Sequence, residues 1–414
     1  MKMETFYGRV VNVRIHKFYI FFDLLYKAQK LPFLATKDTE NPLKYGDILF
    51  IRANEHINNN GTKIYKVENY DIVIRPKKIL PRKQHLYNYE QQYLNALSGN
   101  RMVETIRLRS SIFSIIRDFF GARGFLEIET PILQNQLGSS SANPVVTRSL
   151  KNKKEYYLKR SGELQQKQIV MVTMSDVYEI SKVFRDQGQT RTTMVEYSML
   201  DFYKVGADYT YGMTLTEQLL KVIVENLGNF TKYNNIKFPL PKIKLSNMVQ
   251  DILNIDLESN EIDFEHVNAA LRNHGLSVDC SYDKAQLIEL VFGAIIKRNT
   301  TSPVIYYDFP RKYCPLGKPK DNEYAEEFKL VIDGVSIGHG YTELTDNDLQ
   351  RKVLTQQYLA RIESGKEAYL EEDYLNSMLY GLPPMTGVGI GLDRLIATLL
   401  GYRNIRQTKA FPFY

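Results

Sequence analysis

The stretch Val177–Tyr203, VYEISKVFRDQGQTRTTMVEYSMLDFY, decides how the rest of the chain is read. In its first part Tyr178, Ile180 and Phe184 alternate with Glu179, Ser181 and Arg185, and this predicts a half-buried strand. Asp186–Thr193 follows, polar, with one glycine, three threonines and no large apolar residue, as a loop would be. Val195–Tyr203 is strand-like again and closes a long hairpin. Arg185 stands at the lip of the first strand and Arg191 in the loop. Guanidinium binds phosphate or carboxylate bidentately, so two arginines over a sheet suit a polyanion. Taken alone, the stretch also reads as a surface hairpin with ordinary charges.

At 414 residues the chain has room for two or three domains with a sizeable core. Its 43% apolar and 24% charged residues are those of a soluble globular protein. No stretch approaches the ~20 apolar residues of a membrane span. MKMETFYGRVVNV lacks the apolar core of a signal peptide, so a cytoplasmic location is expected. Cys280 and Cys314 have no CxxC spacing and read as buried thiols. The charge is unevenly divided. Residues 1–100 hold 16 Lys/Arg against 9 Asp/Glu, and the remaining 314 hold 38 of each. The whole excess of +7 therefore sits in the first quarter, as in a nucleic-acid-binding module joined to a neutral body.

Short strands are expected at Glu4–Ile15, Lys17–Leu25, Leu31–Ala35, Asp47–Arg52 and Lys63–Ile74, separated by turn signals. Five strands in this space suggest an OB-fold barrel over residues 1–75. Alternation sets Phe18 and Phe22 on one face of the second strand, Tyr19 and Phe21 on the other. One pair fills the core and the other is placed to stack on unpaired bases. Residues 76–100 read as a linker with a short helix at Leu86–Ser98. Helices follow at Val103–Gly124 and Tyr211–Leu227. Glu155–Leu158 and Val177–Phe184 read as strands of one sheet. About residues 228–300 lies a helical insertion with no chemical motif. Phe328–Gly340 is a hairpin turning at Asp333-Gly334, residues 347–380 are helical, and Val388–Leu400 passes from a glycine-rich strand into a helix. There is no repeat, P-loop or GxGxxG.

Three separated stretches now point one way. Gly121–Leu133 (GARGFLEIETPIL), Phe184–Tyr203 and Gly387–Gly401 (GVGIGLDRLIATLLG) resemble motifs 1, 2 and 3 of class II aminoacyl-tRNA synthetases, in order. Within that family the chain is most similar to the aspartyl, asparaginyl and lysyl subclass. Tyr157–Leu164 (YLKRSGEL), Gly340–Asp346 (GYTELTD) and Tyr380–Pro384 (YGLPP) are closest to the lysyl members. The resemblance implies an α+β protein: an N-terminal OB-fold that reads an anticodon, then a catalytic domain over 101–414 on an antiparallel sheet flanked by helices. It implies a homodimer joined through motif 1, with ATP, an amino acid and tRNA as partners. Position by position, Arg185 resembles the arginine bridging substrate carboxylate and α-phosphate, and Arg394 the one holding the γ-phosphate. Gln187 and Tyr197 fall in the ATP site, Tyr197 over adenine. Glu163 matches the binder of the α-amino group, and Glu343 with Tyr203 the pair receiving an ε-ammonium. Tyr341 walls the aliphatic stem, Asp201 and His339 complete the pocket, and Phe21 or Phe22 stacks on an anticodon base.

Departures from the pattern bear on the activity. Lys329 and Ser336 stand where the family carries two glutamates that hold magnesium on ATP, and both fall on one face of the hairpin. Magnesium requires oxygen ligands, so a weakened or absent metal site is expected. The family's Arg-Phe-Glu becomes Glu327-Phe328-Lys329, a charge swap that reads as a reversed ion pair in preference to Glu327 as a displaced metal ligand, since i to i+2 displacement is ~6.6 Å. Arg-Asn-Glu becomes Arg185-Asp186-Gln187, and His-Asn-Pro-Glu-Phe becomes Thr193-Met194-Val195-Glu196-Tyr197. Asp201 replaces a glutamate, His339 an asparagine, and Gly138-Ser139 a pair of glycines. The pattern is that of a divergent paralogue. Two functions follow from it: activation of lysine or a lysine-like amino acid as an adenylate, with transfer to tRNA or another amine, or a catalytically silent paralogue that binds tRNA or nucleotide as a sensor or accessory protein.

Overall fold

A computed structural model describes residues 3–38, 40–58, 61–78, 92–97, 101–136, 142–257, 263–365 and 368–412. The proposed base of the substrate pocket at Gly138-Ser139, and most of the expected helix at 86–98, lie outside them. Strands β1 (Met3–Ile15), β2 (Tyr19–Tyr26), β3 (Gln29–Thr36), β4 (Ile48–Ile57) and β5 (Lys63–Ile74) close a barrel in the order β1-β2-β3-β5-β4. Closure leaves no free strand edge. Gly8 lets β2 approach β1, since a Cβ there would lie 2.8 Å from Leu24 Cγ. Ile20, Phe22 and Leu24 alternate into the core, where Phe22 stacks on Phe33 at 5.4 Å between ring centroids. Phe22 is thus a core residue, not a base-stacking one. Tyr19 and Phe21 point outward, and Phe18, which precedes the strand, is also exposed.

The chain separates into two compact units, residues 1–112 with 406–414, and residues 113–405. Besides the barrel the first holds α1 (Gln92–Ala96) and the start of α2 (Arg101–Gly121), and Tyr93 stacks on Phe411. In the second, β6 (Leu126–Glu127) is followed by a small antiparallel sheet, β7 (Leu133–Gln134), β8 (Val146–Arg148) and β9 (Glu155–Leu158), ordered β7-β9-β8. Glu155–Leu158 therefore belongs to this separate sheet, because its partners are the strands on either side of the loop it closes. The main sheet takes β10 (Val177–Phe184), β11 (Glu196–Val205), β12 (Lys242–Lys244), β13 (Val304–Pro310), β14 (Tyr324–Ile332), β15 (Val335–Thr342) and β16 (Met385–Gly391). Its order is β12-β13-β14-β15-β16-β11-β10-β6. The six central strands are antiparallel, with a short parallel strand at each edge.

Helices cover this sheet. α3 (Glu163–Thr173) precedes β10. α4 (Tyr209–Leu227) starts at Asp208, whose side chain caps the amides of Thr210 and Tyr211. The segment after it forms α5 (Leu245–Leu253), α6 (Phe264–Arg272) and α7 (Lys284–Val291), packed around Val249, Leu271, Leu287 and Val291. A capping box of Asp283 and Gln286 opens α7, which widens into a π turn at Phe292–Ile296 before α8 (Lys297–Asn299). α9 (Asn347–Glu363), α10 (Glu372–Met378) and α11 (Leu392–Leu399) complete the unit. Among the described residues no helix is long and apolar enough to cross a membrane. Cys314 is buried, whereas Cys280 is exposed, because it lies in the α6–α7 turn and not in the core.

Tyr178 is buried, as alternation predicts, but the rest of β10 departs from the expected polarity. Glu179, Ser181 and Val183 are buried, while Ile180 and Phe184 are only half-buried. Both faces of a central strand are covered here, and the polar-looking face carries the buried polar network described next.

Candidate active site

Two cavities lie side by side on the sheet. The larger, about 350 Å³, is bounded by the β10–β11 loop, the β14–β15 hairpin, α11 and the π turn after α7. The smaller, about 80 Å³, lies over β11, β15 and β16 beside the start of α3. Arg185, Met199, His339 and Gly389 belong to the walls of both.

Arg185 leaves the end of β10 and is held by donation from Nε to the Arg160 carbonyl at 3.1 Å. Its guanidinium carbon lies 5.8 Å from the centre of the Tyr197 ring. Tyr197 and Gln187 line the larger cavity. Met194, which departs from the family pattern, packs with Ala397, Ile405 and Tyr197 and so props this wall. Arg394, on the first turn of α11, donates to the carbonyls of Thr192 at 3.1 Å and Ser336 at 3.3 Å. It therefore ties the motif 2 loop to the hairpin. Arg191 is exposed and outside both cavities.

The smaller cavity collects Glu163, Asp201, Tyr203, His339, Tyr341 and Glu343. Gly387 makes room for them: a Cβ there would stand 2.6 Å from Tyr203 Cε1 and run into Glu343. Fully buried Lys167, one turn along α3, pairs with Glu163 at 2.8 Å and with Glu343 Oε2. The Tyr341 hydroxyl donates to Glu163. Glu343 Oε1 is buried with no hydrogen-bond partner among the described residues.

Burial penalises every charge in this pocket. It lowers the affinity of Lys167 for its proton, but Glu163 and Glu343 outweigh it and keep the ammonium charged. Burial also raises Glu163, and Lys167 with the Tyr341 hydroxyl more than offsets this, leaving its carboxyl below the usual range. Glu343 is pushed up to about 8 by burial, against the pull of Lys167 and with the help of the Glu163 charge. Asp201 is raised to about 7 by burial and then by Glu179 and Glu163. Beneath them Glu179 is satisfied by Lys159 at 2.8 Å, the Thr130 amide and hydroxyl, and Gln166.

At the expected metal positions the donor set does not fit a divalent cation. Lys329 and Ser336 both line the larger cavity. Lys329 presents an ammonium, paired with Glu289 at 3.3 Å and Glu327 at 3.6 Å and lying 3.8 Å from the centre of the Phe309 ring. The reversed ion pair between Glu327 and Lys329 is thus formed. Among the described residues no three His, Cys, Asp or Glu side chains converge to hold a metal.

The structure brings Arg185, Gln187, Tyr197 and Arg394 to one cavity and Glu163, Asp201, Tyr203, His339, Tyr341 and Glu343 to the other. Phe21 and Phe22 lie far along the chain in the barrel, and only Phe21 reaches the surface. Sequence reasoning missed Lys167, whose i,i+4 spacing from Glu163 is that of an ordinary surface pair. It also missed the segment treated as a helical insertion, which supplies Glu289, Phe292, Gly293 and Lys297 to the larger cavity. Their spacing of three and four was the available signal of one helical face.

Residues 84–414 match the family described as tRNA synthetases class II (D, K and N). Among curated relatives, a lysine–tRNA ligase of Fervidobacterium nodosum is 30% identical, covering 98% of this chain and 83% of that protein. A lysine–tRNA ligase of Saccharolobus solfataricus is 29% identical over 98% of this chain and 86% of its own. One of Enterococcus faecalis is 29% identical over 89% and 76%.

Proposed function

The chain belongs to the class II tRNA synthetases of the D, K and N group and is an ATP-dependent ligase; on that premise we propose that it activates lysine and transfers the lysyl group to tRNA. The observation that carries this reading is the position of Arg185 in the wall common to both cavities. A single guanidinium there reaches a carboxylate in the acidic cavity and a phosphate in the basic one.

In this reading lysine enters the smaller cavity with its α-amino group toward Glu163 and its stem along Tyr341. Its ε-ammonium takes the unpartnered Oε1 of Glu343, whose other oxygen already holds Lys167. ATP occupies the larger cavity, adenine against Tyr197 and the end of the triphosphate toward Arg394. A carboxylate oxygen of lysine attacks the α-phosphorus, and the bond to the bridging oxygen breaks as pyrophosphate leaves. Arg185 offsets charge on the α-phosphoryl group as it develops, and fixed positions of both substrates supply much of the acceleration. A terminal hydroxyl of tRNA then takes the lysyl group and AMP departs. His339, in the wall of both cavities, occupies the junction where the carboxylate and α-phosphate would meet, and Asp201 lies in the smaller cavity with it.

Amino-acid-dependent ATP–pyrophosphate exchange tests the reading. Lysine is expected to support exchange, with its analogue norleucine, which lacks the ε-amino group, lower by roughly 10⁴-fold, because it leaves the buried Oε1 of Glu343 without a donor. Equal exchange with norleucine, or none with lysine, overturns the assignment.

A further inference from the structure

The larger cavity carries more positive charge than its recognised arginines account for. Its wall holds Arg185, Arg394, Lys297 and Lys329 against two carboxylates, Glu289 and Asp393. Asp393 accepts the Ser198 amide at 2.8 Å, and Glu289 is engaged by Lys329. The Lys297 ammonium has no ion-pair or hydrogen-bond partner among the described residues. It is half-buried, and both desolvation and the neighbouring charges of Arg394, Lys329 and Arg298 weaken its hold on its proton. Glu289 acts the other way. An unpaired lysine in such company is held at a cost that a bound anion would relieve. Backbone geometry explains its placement. The π turn at Phe292–Ile296 absorbs an extra residue, so Glu289, Gly293 and Lys297 share one side of the helix and face the cavity.

We propose that Lys297 and Lys329, with Arg394, form a protein-built cation site for the β- and γ-phosphates of ATP, in place of the divalent metal that Lys329 and Ser336 cannot hold. The proposal rests on the reading that ATP occupies the larger cavity. Lys329 is fixed by Glu289, Glu327 and the face of Phe309, so its charge stands in one place as a bound cation would. Lys297 supplies the charge that has no counter-ion. Two ammonium groups and a guanidinium can donate hydrogen bonds to several phosphate oxygens at once, which lowers the repulsion between the nucleotide and an incoming carboxylate.

The test is calorimetric titration of the full chain with ATP, once in EDTA and once in millimolar magnesium, with AMP as the control lacking both outer phosphates. ATP is expected to bind with affinities within about threefold in the two conditions. Lys297→Met should weaken ATP by about tenfold or more, the loss of one charge-assisted contact, and leave AMP unchanged. ATP binding that needs magnesium overturns the proposal and leaves the proposed function standing, as does a Lys297→Met variant that binds ATP as tightly as the parent. No ATP binding in either condition overturns both.

Discussion

Lys167 separates two carboxylates, Glu163 and Glu343, that would otherwise face each other without a cation in a largely buried site. Removing one partner of a buried ion pair costs about 3–5 kcal/mol, because the orphaned charge stays behind. Lys167→Met is expected to lose stability on that scale in urea unfolding above pH 8, where Glu343 would carry charge, and adding Glu343→Gln should recover part of it, since one orphaned charge is then gone. Two variants equally destabilised would show that these contacts carry no coupling. The same side chain marks the limit of what could be read residue by residue. Arg185, Arg394 and Glu163 stand in motifs whose order and spacing point to them. Lys167 and Lys297 stand in none, and a lysine four residues from a glutamate looks like a solvated pair until the tertiary fold buries it. Phe22 was ambiguous for a related reason. Alternation pairs it with Phe18, but β2 begins only at Tyr19, so Ile20 and Leu24 set which face is inward.

At the level of elements, the β14–β15 hairpin shows how local signals reach part of the way. Asp333 and Gly334 adopt φ of 52° and 72°, the conformation a two-residue turn needs, and the Asp-Gly pair announces it. Uniform counting from that turn would pair Lys329 with Gly338. A bulge after Leu330 leaves Ile337 out of the ladder, and Lys329 pairs with His339 instead. Ser336, across from Val331, still shares its face, so the juxtaposition of the two replaced positions survives the shift. Lys329→Glu with Ser336→Glu should therefore rebuild a metal site on this hairpin. ATP affinity of the double variant is expected to rise by about tenfold or more on adding millimolar magnesium, a carboxylate-bound cation replacing the lost ammonium. A response to magnesium no different from that of the parent would mean the hairpin is not the strand pair that holds metal in the family. The glycine-rich β16 and the helix after it were legible because Gly387 and Gly389 have no side chain to hide their role. β10 was misread in polarity, since alternation cannot tell a solvent-facing polar row from one that lines a buried site.

Across the whole molecule, the uneven charge points to a nucleic-acid-binding role that no single motif carries. The first hundred residues hold the entire charge excess, and within them the strands between Met3 and Ile74 fold as a closed barrel with aromatic side chains on its outer surface: Phe18, Tyr19 and Phe21 are 64%, 52% and 42% exposed. Lys17 lies over the Phe18 ring at 5.3 Å, so cation and stacking surface are interleaved. Such a surface binds single-stranded nucleic acid through phosphate charge and through the faces of unpaired bases. The two contributions separate experimentally. Phosphate neutralisation releases counter-ions, so the logarithm of tRNA affinity should fall linearly as log salt rises. Phe21→Ala removes a stacking face but no charge, and is expected to cost about 1–3 kcal/mol of tRNA affinity while leaving the salt slope unchanged. Phe22→Ala supplies the contrast, since its ring lies in the barrel core and its removal should lower stability by about 3–5 kcal/mol. Filter binding over a salt series, beside urea unfolding of both variants, resolves them. A flat salt response, or a Phe21→Ala chain that binds tRNA undiminished, would take the barrel out of RNA recognition and leave its basic charge as a solvated surface.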